Sequence, residues 1–191
     1  MKSYSQAGQD EFVSLLLPTP ETFLDIGSAH PDLNSNSYGL ELLGWKGVCV
    51  DRTEHDYSFR NAITVFKDAL DIDYESILPE ITPWIVGYLS VDTDGDSLSC
   101  LRAALDSGFR FKVITVEHDS YKRGGQLRDK ERSELSYRGY KMVCEDVCHP
   151  EIMGMPFEDW WVDPIFFTER NIVKSTFRNY CYTEIIEGMK K

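Results

Sequence analysis

Five short apolar runs in this sequence end in or beside an acidic residue. Residues 22–27 (TFLDIG) carry Asp25, residues 47–51 (GVCVD) close on Asp51 and residues 63–68 (ITVFKD) on Asp68. Residues 84–92 (WIVGYLSVD) close on Asp92, and residues 111–118 (FKVITVEH) on Glu117-His118. Carboxylates gathered in one place accept hydrogen bonds from paired hydroxyls and attract a cation. They therefore suit a ligand with a ribose diol and a positive centre better than a polyphosphate. Asp51 is the sharpest candidate, because it closes the second run 24 residues after Gly27. An acidic residue at that place commonly receives ribose hydroxyls, and its structural alternative is a helix cap. Asp92, Asp94, Glu117, His118 and Asp119 are candidates for moving a proton. His118 is the preferred general base, since imidazole titrates near neutrality. Asp94 is the alternative, if neighbouring carboxylates raise it.

Two patterns have metal-ligand chemistry. Asp92-x-Asp94 with Glu117-His118 offers oxygen and nitrogen ligands for a divalent ion such as Mg, against a reading of residues 94–96 as a turn and cap. Cys144-x3-Cys148-His149 offers three zinc ligands but no second pair at zinc-finger spacing, so an ordinary strand and loop is the preferred reading. One glycine, Gly27, follows the first run, followed by Ser28, Ala29, His30 and Pro31. Three glycines would mark a dinucleotide loop, and no Gly-Lys-Ser/Thr is present to cradle phosphate. His30 is either a donor to a bound ligand or an exposed loop histidine. Gln6 and Gln9 either cover a ligand or cap the first helix.

Elements must position these groups. The near-continuous apolar runs read as parallel strands covered on both faces. Helical patterns fall between them, at residues 9–17, 37–43, 97–106 and 126–137, with Gly44 and Gly108 as stop signals. Residues 140–147 and 162–167 read as an antiparallel edge pair, with Trp160-Trp161 anchoring that hairpin, and residues 171–189 as a terminal helix. This alternation predicts an α/β doubly wound sheet in one domain over residues 1–191. In such sheets ligands sit outside the carboxyl ends of the strands, where the acidic residues collect.

The chain has 191 residues and a formal charge of −12. That charge disfavours nucleic acid and anionic membranes as partners. No apolar run reaches spanning length, residues 1–5 do not begin a signal peptide, and the five cysteines are odd in number and scattered; the expectation is a soluble, cytoplasmic protein. The charge is uneven. Residues 1–100 hold 5 basic and 17 acidic residues, residues 110–141 hold 9 and 5, and residues 142–169 hold none and 7. The basic stretch 122–138 is either a solvated helix face or a surface for a phosphorylated or carboxylated small substrate.

Beyond these residues the sequence resembles a known family. Ser5-Gln6-Ala7-Gly8-Gln9-Asp10-Glu11-Phe12-Val13 is similar to the opening of FkbM-type methyltransferases. So are Phe23-Leu24-Asp25-Ile26-Gly27, Asn36-Ser37-Tyr38, the run from Leu43 to Asp51, Leu89-Ser90-Val91-Asp92-Thr93-Asp94-Gly95, Val116-Glu117-His118 and Gly139-Tyr140. The resemblance extends through Phe157–Pro164 and covers roughly residues 3–164. It implies a Rossmann-like class I fold: a three-layer sandwich around a mostly parallel seven-stranded sheet with an antiparallel edge. It also implies transfer of a methyl group from S-adenosylmethionine to oxygen on a small molecule or saccharide. By position, Asp25 and Gly27 would line the methionine part, Asp51 would hold the ribose, Asp68 with Ala69 would meet the adenine edge, Asp92 would sit beside the sulfonium and the substrate, and Ser28, His30 and Arg52 would also touch the cofactor. Pro31 departs from the family pattern where a second glycine is common. A nucleoside-binding relative without activity and an acidic protein-docking module are the alternatives, and a homo-oligomer is compatible with either.

Overall fold

The computed structural model describes residues 2–152, 155–174, 176–178 and 180–191. Helix α1 spans Gln9–Leu16, strand β1 Thr22–Ile26, α2 Tyr38–Leu42, β2 Lys46–Asp51 and β3 Ile63–Phe66. Then follow α3 at Tyr74–Ile77, β4 at Ile85–Val91, α4 at Ser97–Asp106, β5 at Arg110–Glu117, α5 at Ser120–Arg123, α6 at Gln126–Tyr137 and β6 at Lys141–Val147. The chain ends with β7 at Glu158–Val162, α7 at Glu169–Lys174, β8 at Phe177–Arg178 and α8 at Tyr182–Met189. The strands form one sheet in the order β3-β2-β1-β4-β5-β7-β6-β8. β1 to β5 run parallel, and β7 is antiparallel to both β5 and β6.

Side chains alternate between the two faces of each strand, and both faces are apolar. Leu24, Ile26, Val48, Val50, Val91 and Val116 enter one core cluster, under Leu101, Ala104 and Leu105 of α4 and Leu135 of α6. Phe23, Cys49, Tyr88 and Val113 enter the other, under Phe12 and Val13 of α1, Leu40 of α2 and Ile185 and Ile186 of α8. The result is the three-layer sandwich expected. No helix among the described residues is long and apolar enough to cross a membrane.

The carboxyl-terminal third differs from the sequence expectation. The seventh strand is Glu158–Val162, not residues 162–167. Its acidic start disguises a fully buried strand: Asp159 is neutralised by Arg132 and Glu158 is bonded by Trp160. Residues after Val162 form a turn instead, with Asp163 accepting from Ile165 N–H at 3.1 Å and from Arg110. The expected terminal helix is two helices separated by β8, an eighth strand that pairs with β6 through Cys144↔Phe177 and Glu145↔Arg178.

Candidate active site

Strand register places the chemistry in a single row. Ile26 is level with Val50 and Val91, and Val91 with Val116. One step further along the strands, Gly27 lies between Asp51 and Asp92, and Asp92 is level with Glu117. Glu117 directly opposes Glu158 across the antiparallel pair. Residues in one row share a face of the sheet, so four carboxyl side chains and one glycine cross four neighbouring strand ends and the adjoining start of β7. The chain crosses from one half of the sheet to the other between β1 and β4, which makes Gly27 and Asp92 the switch point where ligands bind in open α/β sheets.

A cleft of about 340 Å³ opens there, and Gly27, Ala29, Asp51, Asp68, Ala69 and Asp92 are among the residues lining it. Gly27 has φ +82°, and a Cβ at this position would stand 1.7 Å from the Asp92 carbonyl oxygen. Both facts require glycine. The backbone then turns over β2, with Gly27 N–H and Ser28 N–H donating to Val50 C=O at 2.9 and 3.1 Å. Asp51 fixes the next step: one carboxylate oxygen accepts from Ala29 N–H at 2.8 Å and the other from Thr53 N–H at 2.7 Å. A carboxylate has about four acceptor positions, so each oxygen keeps one for a ligand.

Asp25 and Ser28, expected at the ligand, are instead buried supports outside the cleft lining. Asp25 accepts from Ser37 Oγ–H at 2.6 Å, and burial pushes its carboxyl up to about 6 against that bond and the nearby Arg60. Ser28 Oγ accepts from Tyr57 O–H at 2.9 Å. His30 also lies outside the lining, with Nδ1 3.0 Å from Asp32. His55, 5.9 Å away ring to ring, occupies the lining instead, and no sequence pattern marks it. Pro31 is buried away from the cleft, where its carbonyl accepts from the Arg60 guanidinium. Asp68 caps the turn at Ala69 by accepting from Leu70 N–H at 3.0 Å, and Arg52 stands 3.6 Å from it.

At the other end of the cleft the carboxyls interact. Burial raises Asp92, while Glu117 donates a hydrogen bond to it. Burial and that same contact raise Glu117 well above the usual carboxylate range. Two adjacent carboxyls in a poorly hydrated place do not both ionise readily, so the pair favours sharing one proton. Asp94, Glu117 and Asp119 bring one oxygen each within 4.8 Å of one another. Their charge is met internally: Lys122 Nζ is 2.9 Å from Asp119, and Arg123 is 4.0 Å from Asp119 and 3.7 Å from Asp94.

His118 is not beside the cleft chemistry. Its ring is buried with Nδ1 accepting from Ser120 N–H at 3.1 Å, and Nε2 faces Asp159 at 3.7 Å and Asp146 at 3.9 Å. The structure thus places His118, the preferred general base of the sequence, outside the cleft lining. Arg132 fills the same nest, donating to Asp159 at 2.7 and 2.8 Å, to Asp146 at 2.8 Å and to Glu145 at 3.2 Å. Arg128 also reaches Asp146, at 3.1 Å, and Arg138 pairs with Glu134 and Asp106. Within the basic stretch, Arg128 and Arg132 are thus paired with the acidic stretch that follows it.

The remaining sequence candidates are structural. Cys144 lies within β6, Cys148 faces Cys181, and His149 packs its ring 5.6 Å from Tyr182, so the zinc pattern gathers no ligand set among the described residues. Trp160 packs on Phe12 at 4.4 Å and donates to Glu158 at 2.6 Å, while Trp161 faces the opposite core. Gln9 is buried between Ala7 N–H and Glu158, which places it behind the acidic row.

No protein-family model and no curated protein matches the chain. Solved structures do. An rRNA methylase from Streptococcus thermophilus is similar over 81% of this chain and 93% of its own, with a TM-score of 0.51 and 13% identity. The 1,6-didemethyltoxoflavin-N1-methyltransferase of Burkholderia thailandensis, solved with its substrate and S-adenosylhomocysteine, gives 0.48 and 14% over 81% of this chain and 74% of its own. The architecture shared with the streptococcal protein is the Rossmann-like methyltransferase fold, here with an eighth strand at the outer edge.

Proposed function

We propose that the protein is an S-adenosylmethionine-dependent methyltransferase acting on a hydroxyl of a small molecule or saccharide. The observation that carries this reading is the row Asp51–Gly27–Asp92–Glu117 across the switch point of a methyltransferase fold. The cleft suits the cofactor chemically. Asp51, Asp68, Asp92, Asp94 and Asp96 line it against Arg52 and Lys67, an acidic balance that favours a sulfonium and a diol over phosphate. Asp51 would hold the ribose hydroxyls, Asp68 with Ala69 the adenine edge, and Asp92 the neighbourhood of the sulfonium.

When bound, the cofactor supplies a methyl group activated by its positive sulfur. The chain's own residues do the rest. Gly27 lets the backbone close against β4, and Asp51 holds the loop that covers the nucleoside. A hydroxyl acceptor must lose its proton, and the Asp92 carboxyl, paired with Glu117 at the end of the cleft, is the group placed to take it. No metal is part of this reading: Lys122 and Arg123 stand within 4.0 Å of Asp119 or Asp94, two of the three carboxyls that would hold one.

Calorimetry with S-adenosylmethionine and S-adenosylhomocysteine tests the proposal. Micromolar binding of both is the expected result. Binding of neither discards it in favour of a docking module, and binding without turnover of any hydroxyl acceptor in a panel favours a non-catalytic homologue.

A further inference from the structure

Cys148 and Cys181 lie 33 residues apart, yet their sulfurs are 3.5 Å from each other. Their backbones are joined as well. Cys148 N–H donates to Tyr180 C=O at 3.3 Å, and Tyr182 N–H donates to Cys148 C=O at 3.1 Å, so the two cysteines are partners in an isolated parallel bridge. Bridged strands stand about 4.8 Å apart, inside the roughly 4.4–6.8 Å Cα range of disulfides. The sulfurs need only rotate together by about 1.5 Å to reach a bond near 2.05 Å.

The bridge is placed to matter. Cys181 is the cap of α8, held by Glu184, whose carboxylate accepts from Cys181 N–H at 3.1 Å. α8 covers the start of α1: Tyr182 lies close over Gly8, and Lys190 bonds Glu11 at 2.6 Å. The segment is also held to the sheet by the two residue pairs of β8 and by Ile185 and Ile186, which are buried in the core.

We propose that Cys148 and Cys181 are a site of oxidative modification that closes into an intramolecular disulfide and fastens α8 to the end of β6. A low-molecular-weight disulfide is the oxidant. One protein thiolate attacks a reagent sulfur and expels a reagent thiolate, giving a mixed disulfide. The second protein thiolate then attacks the protein sulfur of that mixed disulfide and expels the other reagent thiolate. Two protein thiols lose two protons and two electrons, and the reagent disulfide becomes two thiols. Burial and the neighbouring Cys148 thiol push the Cys181 thiol up to about 11, which makes that thiol slow to react at neutral pH and faster as pH rises.

The test uses the full chain with oxidised glutathione at pH 8, followed by denaturation, thiol counting and mass mapping without reductant. Two of the five thiols should disappear with a loss of two hydrogens, and a peptide pair linking Cys148 to Cys181 should appear. Trypsin cleavage after Arg170 or Arg178 should leave the α8 fragment attached until reductant is added. Melting of the oxidised chain should rise by several degrees, reversibly. Cys148→Ser and Cys181→Ser should each abolish the link. Five unreacted thiols, a stable glutathione adduct without the link, or crosslinks among other cysteines would each overturn the proposal. The mapping is read on the unmutated chain, so it does not depend on either variant folding.

Discussion

Replacing Asp51 with alanine separates the two tasks assigned to that carboxylate. Its two oxygens tie Ala29 N–H and Thr53 N–H. Both bonds are solvent-facing, so each is worth about 1 kcal/mol although the acceptor is charged. Asp51→Ala should therefore cost about 2 kcal/mol of stability. The second task concerns the ligand. Two ribose hydroxyls donating to a carboxylate at a partly exposed site contribute about 3 kcal/mol together. That is roughly a hundredfold in the dissociation constant for S-adenosylhomocysteine. Calorimetry gives the affinity and urea denaturation the stability, each on the same preparation. Asp51→Asn adds a control, because its amide retains one acceptor oxygen and should lose part of both effects. A folded Asp51→Ala chain that binds within threefold of the unmutated protein would refute the ribose assignment. An unchanged urea midpoint would refute the account of the loop.

Arg132→Met should destabilise by about 3–5 kcal/mol, since it leaves the buried Asp159 carboxylate without its cation while Asp146 and Glu145 stand close by. Urea midpoints measure it, and a loss under 1 kcal/mol would show that His118 and solvent suffice for Asp159. Stability of the unmutated chain should fall as pH rises from about 5 to 8. Burial lifts the carboxyls of Glu131 and Glu158 to about 8, so the folded chain keeps protons that the unfolded chain releases near 4.3, and the proton-binding difference makes unfolding easier with rising pH. Glu158→Gln should flatten that slope; a stability that instead climbs across the window would contradict the buried neutral carboxyls.

Five strands and the two longest helices were legible because their cores are written in runs of Val, Ile, Leu and Phe bounded by Gly, Asp and Ser. Ser97–Asp106 and Gln126–Tyr137 have the same ends in sequence and structure. The seventh strand was not legible, because Glu158 and Asp159 mark a buried strand only once Trp160 and Arg132 are known to reach them. The split terminal helix escaped for a related reason. Its break is set by pairing of Phe177 and Arg178 with β6 and by the Cys148 bridge, contacts invisible in local pattern. In the site, spacing placed Asp51 and Asp92 at one edge but could not say which way side chains turn. His118 and Glu117 are consecutive, and consecutive residues on a strand point to opposite faces. That alternation puts Glu117 on the face of the acidic row and sends His118 toward Arg132, so an imidazole with suitable chemistry is in the wrong place.

The charge pattern shows how the site stays acidic without unfolding. Four of the seven acidic residues of 142–169 are balanced by named partners, Arg132 with Asp159, Asp146 and Glu145, and Arg110 with Asp163. Those of the row are not balanced in this way. Asp92 and Glu117 share a proton, Glu158 is held neutral by burial, and Asp51 is satisfied by backbone N–H groups. Backbone donors and bound protons stabilise these carboxyl groups without a paired cation on each, so the five aspartates lining the cleft outnumber its two cations, Arg52 and Lys67. A lysine or arginine paired with each would repel a sulfonium, so the means by which each carboxyl is satisfied divides the molecule into scaffold and site.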